Sequence, residues 1–499
     1  MTAHSFEFNK VTFGLPVESY RVDAYITRDE RLPVVTEYVL RLLRICGSVT
    51  LSGLRNYFGF TDPEVLAVVE SLTRQGLIEV SGENLHLSGY ASERFEESSN
   101  DDYPRFTKVE PRRDSVIFDL LSFSPLSTRS IGLLNENSYR LDVSDEVLGN
   151  SVERAKAAYY KRFHEIARLN DDLRRDAISV YSVEDISSKR RGYLPIPVAF
   201  SLVEQEQVER RRPSWFEERA APELVGAFHE TVSTAIPNAQ TVGNAHFDDF
   251  IDAFDASWLA SFVTGNRFDM HKFAKDLNAG EVLTPKGLRP IFGNLYLEHN
   301  LEQVTNRIKA RRNEQRLRFL CTSAAWLAPD HYLWGRGEAF QQATTALQDI
   351  LRVKEIDDLF VFVGTEKGQE QVVSNQFRGV GSGQFHAYRP AITGNAGFGG
   401  RLELFLYPTG FVAALFHLAL PGNPGLWAPV GFLSSVPKHV ERVHKLLQSI
   451  VGGNAYAGRL NTKNEQRHER QKFIDACGFL NYSDLRGNTG AAEADDEAG

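Results

Sequence analysis

The chain has 499 residues, a length that predicts roughly two to four packed domains. Because 42% of the residues are hydrophobic and 11% aromatic, the composition excludes a largely disordered protein. The formal net charge of −9 is mild, and the last residues contribute four negative charges through Glu493, Asp495, Asp496 and Glu497. The rest of the chain is close to balanced, which excludes a strongly basic protein. Any nucleic-acid surface must therefore be a local basic patch.

Cysteine usage and hydropathy predict a cytoplasmic protein that is not bound to a membrane. Cys46, Cys321 and Cys477 are far apart and form no CxxC pair, which is typical of a reducing compartment. The first residues lack a signal-peptide pattern, and the longest apolar run is too short to cross a bilayer. No strong metal-ligand spacing or cofactor motif occurs, so we expect neither a metal nor a cofactor.

Residues 34–90 carry three helical patterns and then a hairpin pattern. The first helix, PVVTEYVLRLLRICG, is followed by the short helix LSGLRNYFGF and by TDPEVLAVVESLTRQGL, which starts with a capping box of Thr61 and Glu64. IEVSGENLHLS predicts a hairpin that turns at residues 81–84. The apolar face predicted for the first helix consists of Val35, Tyr38, Val39, Leu42 and Leu43.

This order of helices and hairpin resembles the winged-helix family, and we assign residues 1–95 to such a domain with an N-terminal arm. The resemblance implies that the third helix contacts the DNA major groove. Its exposed positions include Asp62, Glu64 and Glu70 beside Arg74, a partly acidic face that phosphates would repel. A docking or dimerisation role is therefore an equal alternative. The polar stretch at residues 96–115 is predicted to be a linker.

Residues 116–295 predict a mixed α+β central domain with a long helix over about 145–172. Two strand patterns, at 177–183 and 194–203, flank the basic loop SSKRRGY, and a second basic cluster follows at 209–213. Loops that present guanidinium groups from a sheet suit phosphate contacts, although a solvated charged loop is the alternative. The DNA-binding candidates in this region are Lys189, Arg190, Arg191, Arg210, Arg211 and Arg212.

The aromatic segment 247–277 predicts a helix whose core face is Phe250, Phe254, Trp258 and Phe262. Residues 296–319 then predict an amphipathic basic helix. Its apolar stripe would dock and hold the arginines outward, as phosphate binding requires, whereas an acidic partner protein or internal ion pairs are the alternatives. The DNA-binding candidates on this helix are Arg307, Lys309, Arg311, Arg312 and Arg316.

Residues 296–482 predict a C-terminal α/β layer of alternating strands and helices, followed by a disordered acidic tail at 483–499. In FHLALPGNPGLWAPVGFLSS, residues 416–435, His417 and Gly431 have the spacing of the His and Gly in H-x-K-x4-D-x6-G-S-x-N. This stretch weakly resembles phospholipase-D-like phosphodiesterases. Ala419 and Pro424 replace the Lys and Asp, so the resemblance implies a degenerate, inactive site. GQFHAYRP, with His386 and Arg389, is the other weak catalytic candidate.

The fold class predicted overall is α/β multidomain, with a winged helix, a mixed central region with basic helices, and a C-terminal α/β layer. Three functions fit this pattern. The first is a non-enzymatic double-stranded DNA-binding subunit of a bacterial multi-protein system for anti-phage defence or DNA restriction, with protein partners encoded in the same operon. The second is a phosphodiesterase or nuclease that uses His386 or His417. The third is a winged-helix transcriptional regulator with a ligand-sensing C-terminal domain.

Overall fold

The computed structural model describes residues 5–30, 32–97, 106–127, 137–169, 178–236, 246–313, 323–352, 358–377, 379–390, 398–408, 410–452 and 455–460. This part of the chain is mixed α/β with several β-sheets, as the composition and periodicity predict. The acidic tail at 483–499 lies outside the described residues, as does Arg316. Among the helices described, none combines the length and apolarity needed to cross a membrane.

The strands are numbered in chain order. The first nine are β1 (Phe6–Glu30), β2 (Val49–Thr50), β3 (Ile78–Ser81), β4 (Asn84–Leu87), β5 (Phe106–Asp119), β6 (Pro125–Leu126), β7 (Tyr139–Arg140), β8 (Ile178–Leu202) and β9 (Val208–Arg211). The others are β10 (Val263–Thr264), β11 (Arg267–Phe268), β12 (Leu288–Phe292), β13 (Ala324–Leu327), β14 (Leu359–Gly364), β15 (Gln384–Tyr388), β16 (Leu402–Tyr407), β17 (Phe411–Leu420), β18 (Asn423–Ser434) and β19 (Tyr456–Arg459).

The α-helices are numbered in the same way. The first seven are α1 (Val34–Cys46), α2 (Leu51–Phe58), α3 (Asp62–Arg74), α4 (Gly89–Glu97), α5 (Asp145–Gly149), α6 (Ser151–Lys161) and α7 (Phe163–Leu169). The others are α8 (Ser214–Arg219), α9 (Pro222–Ala235), α10 (Phe247–Ala253), α11 (Met270–Ala279), α12 (Glu298–Asn313), α13 (Glu338–Leu351), α14 (Glu370–Phe377) and α15 (Pro437–Gly452).

The chain divides into two compact units. The smaller unit comprises Glu18–Thr128 and Ser144–Arg191, and the larger unit comprises Met1–Val17, Arg129–Val143 and Gly192–Gly499. Two of the predicted boundaries need correction. Residues 106–115 of the predicted linker belong to strand β5. The C-terminal sheet also begins before residue 296, because β12 pairs with β18.

In the smaller unit, residues 34–97 form a small helical module with a three-stranded sheet in the order β2-β4-β3. Helix α3 begins as predicted, with the Thr61 backbone N–H donating to Glu64 Oε2 at 2.8 Å. The hairpin predicted at residues 81–84 is confirmed by the pairing of β3 with β4. The face predicted for α1 is partly wrong, because Val35 and Tyr38 are exposed and the buried residues are Val39, Leu40 and Leu43.

Two predictions for the middle of the chain are also wrong. The helix predicted over 145–172 is divided into α5, α6 and α7, and the first break falls at Gly149 and Asn150, residue types that favour helix ends. The basic stretch 187–193 is not a loop but the central part of β8. Its backbone is held as a strand, since the Ser19 hydroxyl of β1 donates to the Arg190 carbonyl at 3.2 Å.

The larger unit is built on a sheet in the order β12-β18-β17-β16-β13-β14-β15-β19. Strands β13, β14 and β15 are parallel to one another, and the pairings toward both edges are antiparallel. One face packs against α12 and α13 through an apolar core that includes Trp326, Phe340 and Phe405. The predicted alternation of strands and helices is present here, for example in β14, α14 and β15, and in β17, β18 and α15.

The aromatic segment 247–277 is not a single helix. It consists of α10, a 3-10 turn over Ser257–Phe262, the β10–β11 hairpin and α11. The chain leaves the helical path at Asp255, whose φ is +48°, a value that a continuous helix excludes. The aromatic core itself is confirmed at three of the four positions, since Phe250, Phe254 and Phe262 are buried.

Candidate nucleic-acid interface

Arg191, predicted to bind phosphate, instead pairs with a buried carboxylate of its own unit. Its Nε lies 3.0 Å from Glu18 Oε1, and its Nη2 donates to the Leu148 carbonyl. Glu18 is fully buried and also accepts hydrogen bonds from Tyr20 and Ser188. Burial alone would raise the pKa of Glu18, but these hydrogen bonds outweigh it and lower the pKa. Arg191 is therefore a structural cation.

The three arginines at the end of β9 also have partners within the larger unit. Arg210 donates to the Ser233 hydroxyl at 2.5 Å, and burial lowers its pKa. Arg211 pairs with Glu209 and Arg212 with Glu217, at 3.2 and 3.0 Å. A phosphate would have to compete with these groups. Of the candidates in the smaller unit, Lys189 and Arg190 remain exposed on β8.

The basic helix is present as α12, but its cations differ in their surroundings. Arg312 donates to the Ile350 carbonyl, so it closes the contact with α13 rather than facing outward. Lys309 is exposed. Arg307 is half-buried and donates to the Ser435 hydroxyl at 2.7 Å, just after β18. The stem of Arg311 packs at Gly410, where an added Cβ would lie 2.9 Å from Arg311 Cγ.

The structure brings a third guanidinium to this place, that of Arg289 on strand β12. Arg289 is exposed and stands opposite Leu433 of β18, two residues before Ser435. Burial lowers the pKa of Arg307, and the positive charges of Arg289 and Arg311 lower it further. Within the described ranges, no carboxylate forms an ion pair with Arg289 or Arg307. We call Arg289, Arg307 and Arg311 the arginine cluster.

Like charges held close together favour a bound anion, because the anion relieves their repulsion. Arg289 was not predicted from the sequence, where it is a lone cation in the stretch GLRPIF. The sequence does contain one indication that Arg289 is exposed, because the next residue is Pro290 and proline within a sheet is confined mainly to edge strands. β12 is at the end of the strand order, which leaves Arg289 beside solvent.

His417, the first candidate nucleophile, is a core residue. It lies on β17, where its Nε2 is 2.7 Å from Glu403 Oε2 on β16. Glu403 Oε1 accepts a hydrogen bond from Trp326 Nε1 at 3.0 Å, and all three side chains are buried. The stretch 416–435 is thus a β-hairpin of β17 and β18 that turns at Pro421 and Gly422.

His386, the second candidate, is also buried, on strand β15 between the rings of Phe360 and Phe362. Its Nδ1 is 3.2 Å from the Tyr456 hydroxyl. Arg389 donates to the Thr365 carbonyl and forms an ion pair with Glu370. These surroundings hold the histidine in the core and give the arginine a structural partner, so they favour no catalytic pair.

One serine–histidine pair was not singled out in the sequence. Ser434 Oγ lies 2.8 Å from His439 Nδ1 and also accepts from the Val436 backbone N–H. Both side chains are buried, and the rings of Phe254 and Phe432 pack against the imidazole. The pair therefore links β18 to the first turn of α15 inside the core.

In the part of the chain that the structure describes, no group of three or more His, Cys, Asp or Glu is placed to hold a metal ion. At the start of α10, His246 Nδ1 is 3.0 Å from Asp249 Oδ2.

The buried imidazole of His386 predicts a pH dependence of stability. Burial, and then the positive charge of Arg459, lowers its pKa from about 6.5 to about 3. Between these values the unfolded chain binds a proton that the folded chain does not, so the free energy of unfolding falls as the pH falls, by ~1.4 kcal/mol per pH unit for this group.

We expect the variant His386→Phe to show a shallower decrease in stability between pH 6.5 and 4 than the original protein. Urea denaturation at several pH values measures this slope. Equal slopes for the two proteins would show that His386 takes up its proton in the folded state, which would contradict its placement in the core.

Comparison with known proteins gives no family assignment: no family model and no curated protein matches this chain.

Proposed function

We propose that the protein is a non-enzymatic double-stranded DNA-binding protein that contacts phosphates through the arginine cluster. The observation that supports this proposal most directly is the placement of Arg289, Arg307 and Arg311 close together, where burial and then the charges of Arg289 and Arg311 lower the pKa of Arg307. Arg289 and Arg307 have no carboxylate ion-pair partner among the described residues, so their mutual repulsion costs free energy that a bound anion would relieve. A phosphate oxygen offers them the charge and the acceptor geometry that guanidinium groups bind best.

The arrangement favours the DNA backbone over a base sequence. Arg289 comes from an edge strand and Arg307 and Arg311 from a helix, so the donors are fixed by regular elements. Contacts of this kind hold the register of a protein on a duplex but carry no sequence information. Because the whole chain has a net charge of −9, its attraction to DNA is confined to this basic patch. Binding should therefore depend strongly on salt and weakly on sequence.

The non-enzymatic part of the proposal rests on the two histidines. A nucleophile must reach phosphorus, and both His417 and His386 are buried in the sheet of the larger unit. Phosphoryl transfer also needs cations or donors around the transferring group. His417 has the carboxylate of Glu403 beside it instead, which would repel a phosphate.

The helical module at residues 34–97, which resembles a winged helix, is better suited to protein contacts. The arginines near its third helix are already paired, Arg74 with Glu70 at 2.8 Å and Arg55 with Asp62 at 2.7 Å. We propose that this module docks to protein rather than to DNA. A bacterial multi-protein system, such as one for phage defence or restriction, is the setting suggested by the architectural resemblance alone.

Charge reversal of the arginine cluster tests the DNA-binding proposal. We expect the triple variant Arg289→Glu, Arg307→Glu and Arg311→Glu to bind a short labelled duplex about 100-fold more weakly, which corresponds to ~1 kcal/mol for each lost contact. Fluorescence anisotropy at low salt measures this affinity, and circular dichroism checks that the variant is folded.

The matched control is the triple variant Arg211→Glu, Arg212→Glu and Arg219→Glu, which changes the same charge in the same unit. Because Arg211 and Arg212 are paired with Glu209 and Glu217, the control should bind within a few-fold of the original protein. Equal loss in both triple variants would indicate a general charge effect and contradict the proposed site. Replacing the half-buried Arg307 could also affect folding. The single variant Arg289→Glu changes only an exposed side chain, so a loss of binding in this variant reports the contact with DNA.

A further inference from the structure

The arginine cluster surrounds the end of strand β18. The last residue of this strand pairs with β12 on one side and with β17 on the other. Arg289 lies on β12 beside this end, and the stem of Arg311 packs at Gly410, just before β17. Arg307 donates to the hydroxyl of Ser435, the residue that follows β18. Neighbouring strands are about 5 Å apart, so β12 and β17 are roughly 10 Å from each other and the three arginines gather around one point.

Ser435 adds a hydroxyl at this point. Its Oγ accepts from Arg307 Nη1 at 2.7 Å, which leaves the hydroxyl proton available to another acceptor. The Ser435 backbone N–H donates to the Gly287 carbonyl at 3.1 Å, so the residue is held in place beside the arginines. In the part of the chain that the structure describes, the Ser435 hydroxyl donates to no protein group. The site therefore offers an anion both positive charge and fixed donors.

We propose that this site binds the terminal phosphate of a DNA end. This role rests on the proposed DNA binding and specifies which phosphate the arginine cluster holds. A terminal phosphate has three free oxygens and a charge of about −2, whereas a phosphate inside a strand has two free oxygens and a single charge. The larger charge offsets more of the repulsion between the arginines, and the third oxygen gives the Ser435 hydroxyl an acceptor of its own.

The surroundings of the site fit a DNA end better than a free nucleoside monophosphate. Arg289 is exposed on β12, an edge strand, so the site is open to a ligand as large as a duplex. Lys286 is exposed as well and precedes Gly287, whose carbonyl is bonded to Ser435. A cation beside the site attracts the next phosphate along a strand, which a nucleoside monophosphate lacks.

Fluorescence anisotropy with two forms of one short blunt duplex tests the proposal. The two forms have the same sequence, and only one of them carries phosphates at its strand ends. We expect the original protein to bind the phosphorylated form about 10-fold more tightly at low salt, which is the effect of one charge-assisted hydrogen bond. Equal affinity for the two forms would overturn the proposal.

Replacing the serine tests the site itself. Ser435→Ala keeps all three arginines and should reduce the preference for the phosphorylated form to about 3-fold or less. The matched control is Ser449→Ala, at an exposed position near the other end of α15, which should keep the full preference. If Ser435→Ala lowers the thermal midpoint, Arg289→Gln, which changes an exposed side chain, replaces it and should reduce the preference in the same way. A preference that survives both changes would also overturn the proposal.

The same measurements distinguish end binding from DNA binding in general. If both forms bind equally and the triple variant of the arginine cluster weakens both, DNA binding through the cluster stands and the terminal phosphate is excluded. If the original protein binds neither form, the proposed function fails as well. A nucleoside monophosphate that competes as strongly as the phosphorylated duplex would assign the site to free nucleotides and contradict the proposal.

Discussion

Replacing Gly431 with alanine is expected to destabilise the larger unit by about 3 kcal/mol or more. Gly431 lies on β18 between β12 and β17, opposite Ile291 on one side and Leu415 on the other. An added Cβ would meet the Ala414 carbonyl oxygen and lie 2.8 Å from Leu415 Cα. Both are backbone atoms of a paired strand, so they cannot move aside without disturbing the sheet.

Gly422, in the turn of the same hairpin, is the matched control. No atom lies within 4 Å of the position that its Cβ would occupy, so Gly422→Ala should change stability by less than about 0.5 kcal/mol. Urea denaturation of both variants gives the comparison. If Gly431→Ala were as stable as Gly422→Ala, the close packing of β17 and β18 would be wrong. The glycine that matches the phospholipase-D-like spacing thus has a structural reason to be a glycine.

Replacing Glu403 with alanine is the second change with a large expected effect. The buried carboxylate accepts from Trp326 Nε1 and pairs with His417 Nε2. Its removal leaves two buried polar groups without their acceptor, and breaking a buried pair in this way costs about 3–5 kcal/mol. We expect the free energy of unfolding, measured by urea denaturation, to fall by this amount.

Two further variants separate the polar contacts from the packing. Glu403→Gln keeps an acceptor oxygen and most of the volume, so it should lose less stability than Glu403→Ala. The double variant Glu403→Leu and His417→Phe removes both polar partners and should recover part of the loss. A loss below about 1 kcal/mol for Glu403→Ala would mean that water reaches this cluster, and His417 would again be a candidate for chemistry.

Elements defined by local patterns were predictable from the sequence. The capping box of Thr61 and Glu64 gives the start of α3, and the alternation around residues 81–84 gives the β3–β4 hairpin. The alternation of strands and helices in the C-terminal layer, which includes β14 and α13, was predicted in the same way. In each case a few neighbouring residues determine the structure.

Features defined by distant partners were not predictable. The stretch 187–193 is polar and basic, and only its pairing with β1 makes it a strand. Glu18 is 173 residues from Arg191 in the sequence, so the basic pattern around Arg191 could not show that its charge is neutralised by Glu18. On α1 the apolar pattern has two faces, and the sequence does not say which one the core covers.

The candidate site shows the same division. The basic helix was predicted, and the structure places Arg307 and Arg311 on it. Arg289 could not be joined to them, because it comes from a strand whose position is set by β18, more than a hundred residues later in the chain. Arg312 is held by a carbonyl of α13, a contact that only the packed structure reveals.

The salt dependence of duplex binding is the sharpest test of phosphate contact by the arginine cluster. Each phosphate contact contributes about 0.9 to the slope of log K against log salt concentration, so the triple variant of Arg289, Arg307 and Arg311 should have a slope smaller by about 2 to 3 than that of the original protein. The control triple variant should keep the original slope. Salt-independent binding by the original protein, or an unchanged slope in the triple variant of Arg289, Arg307 and Arg311, would show that the arginine cluster does not bind DNA phosphates.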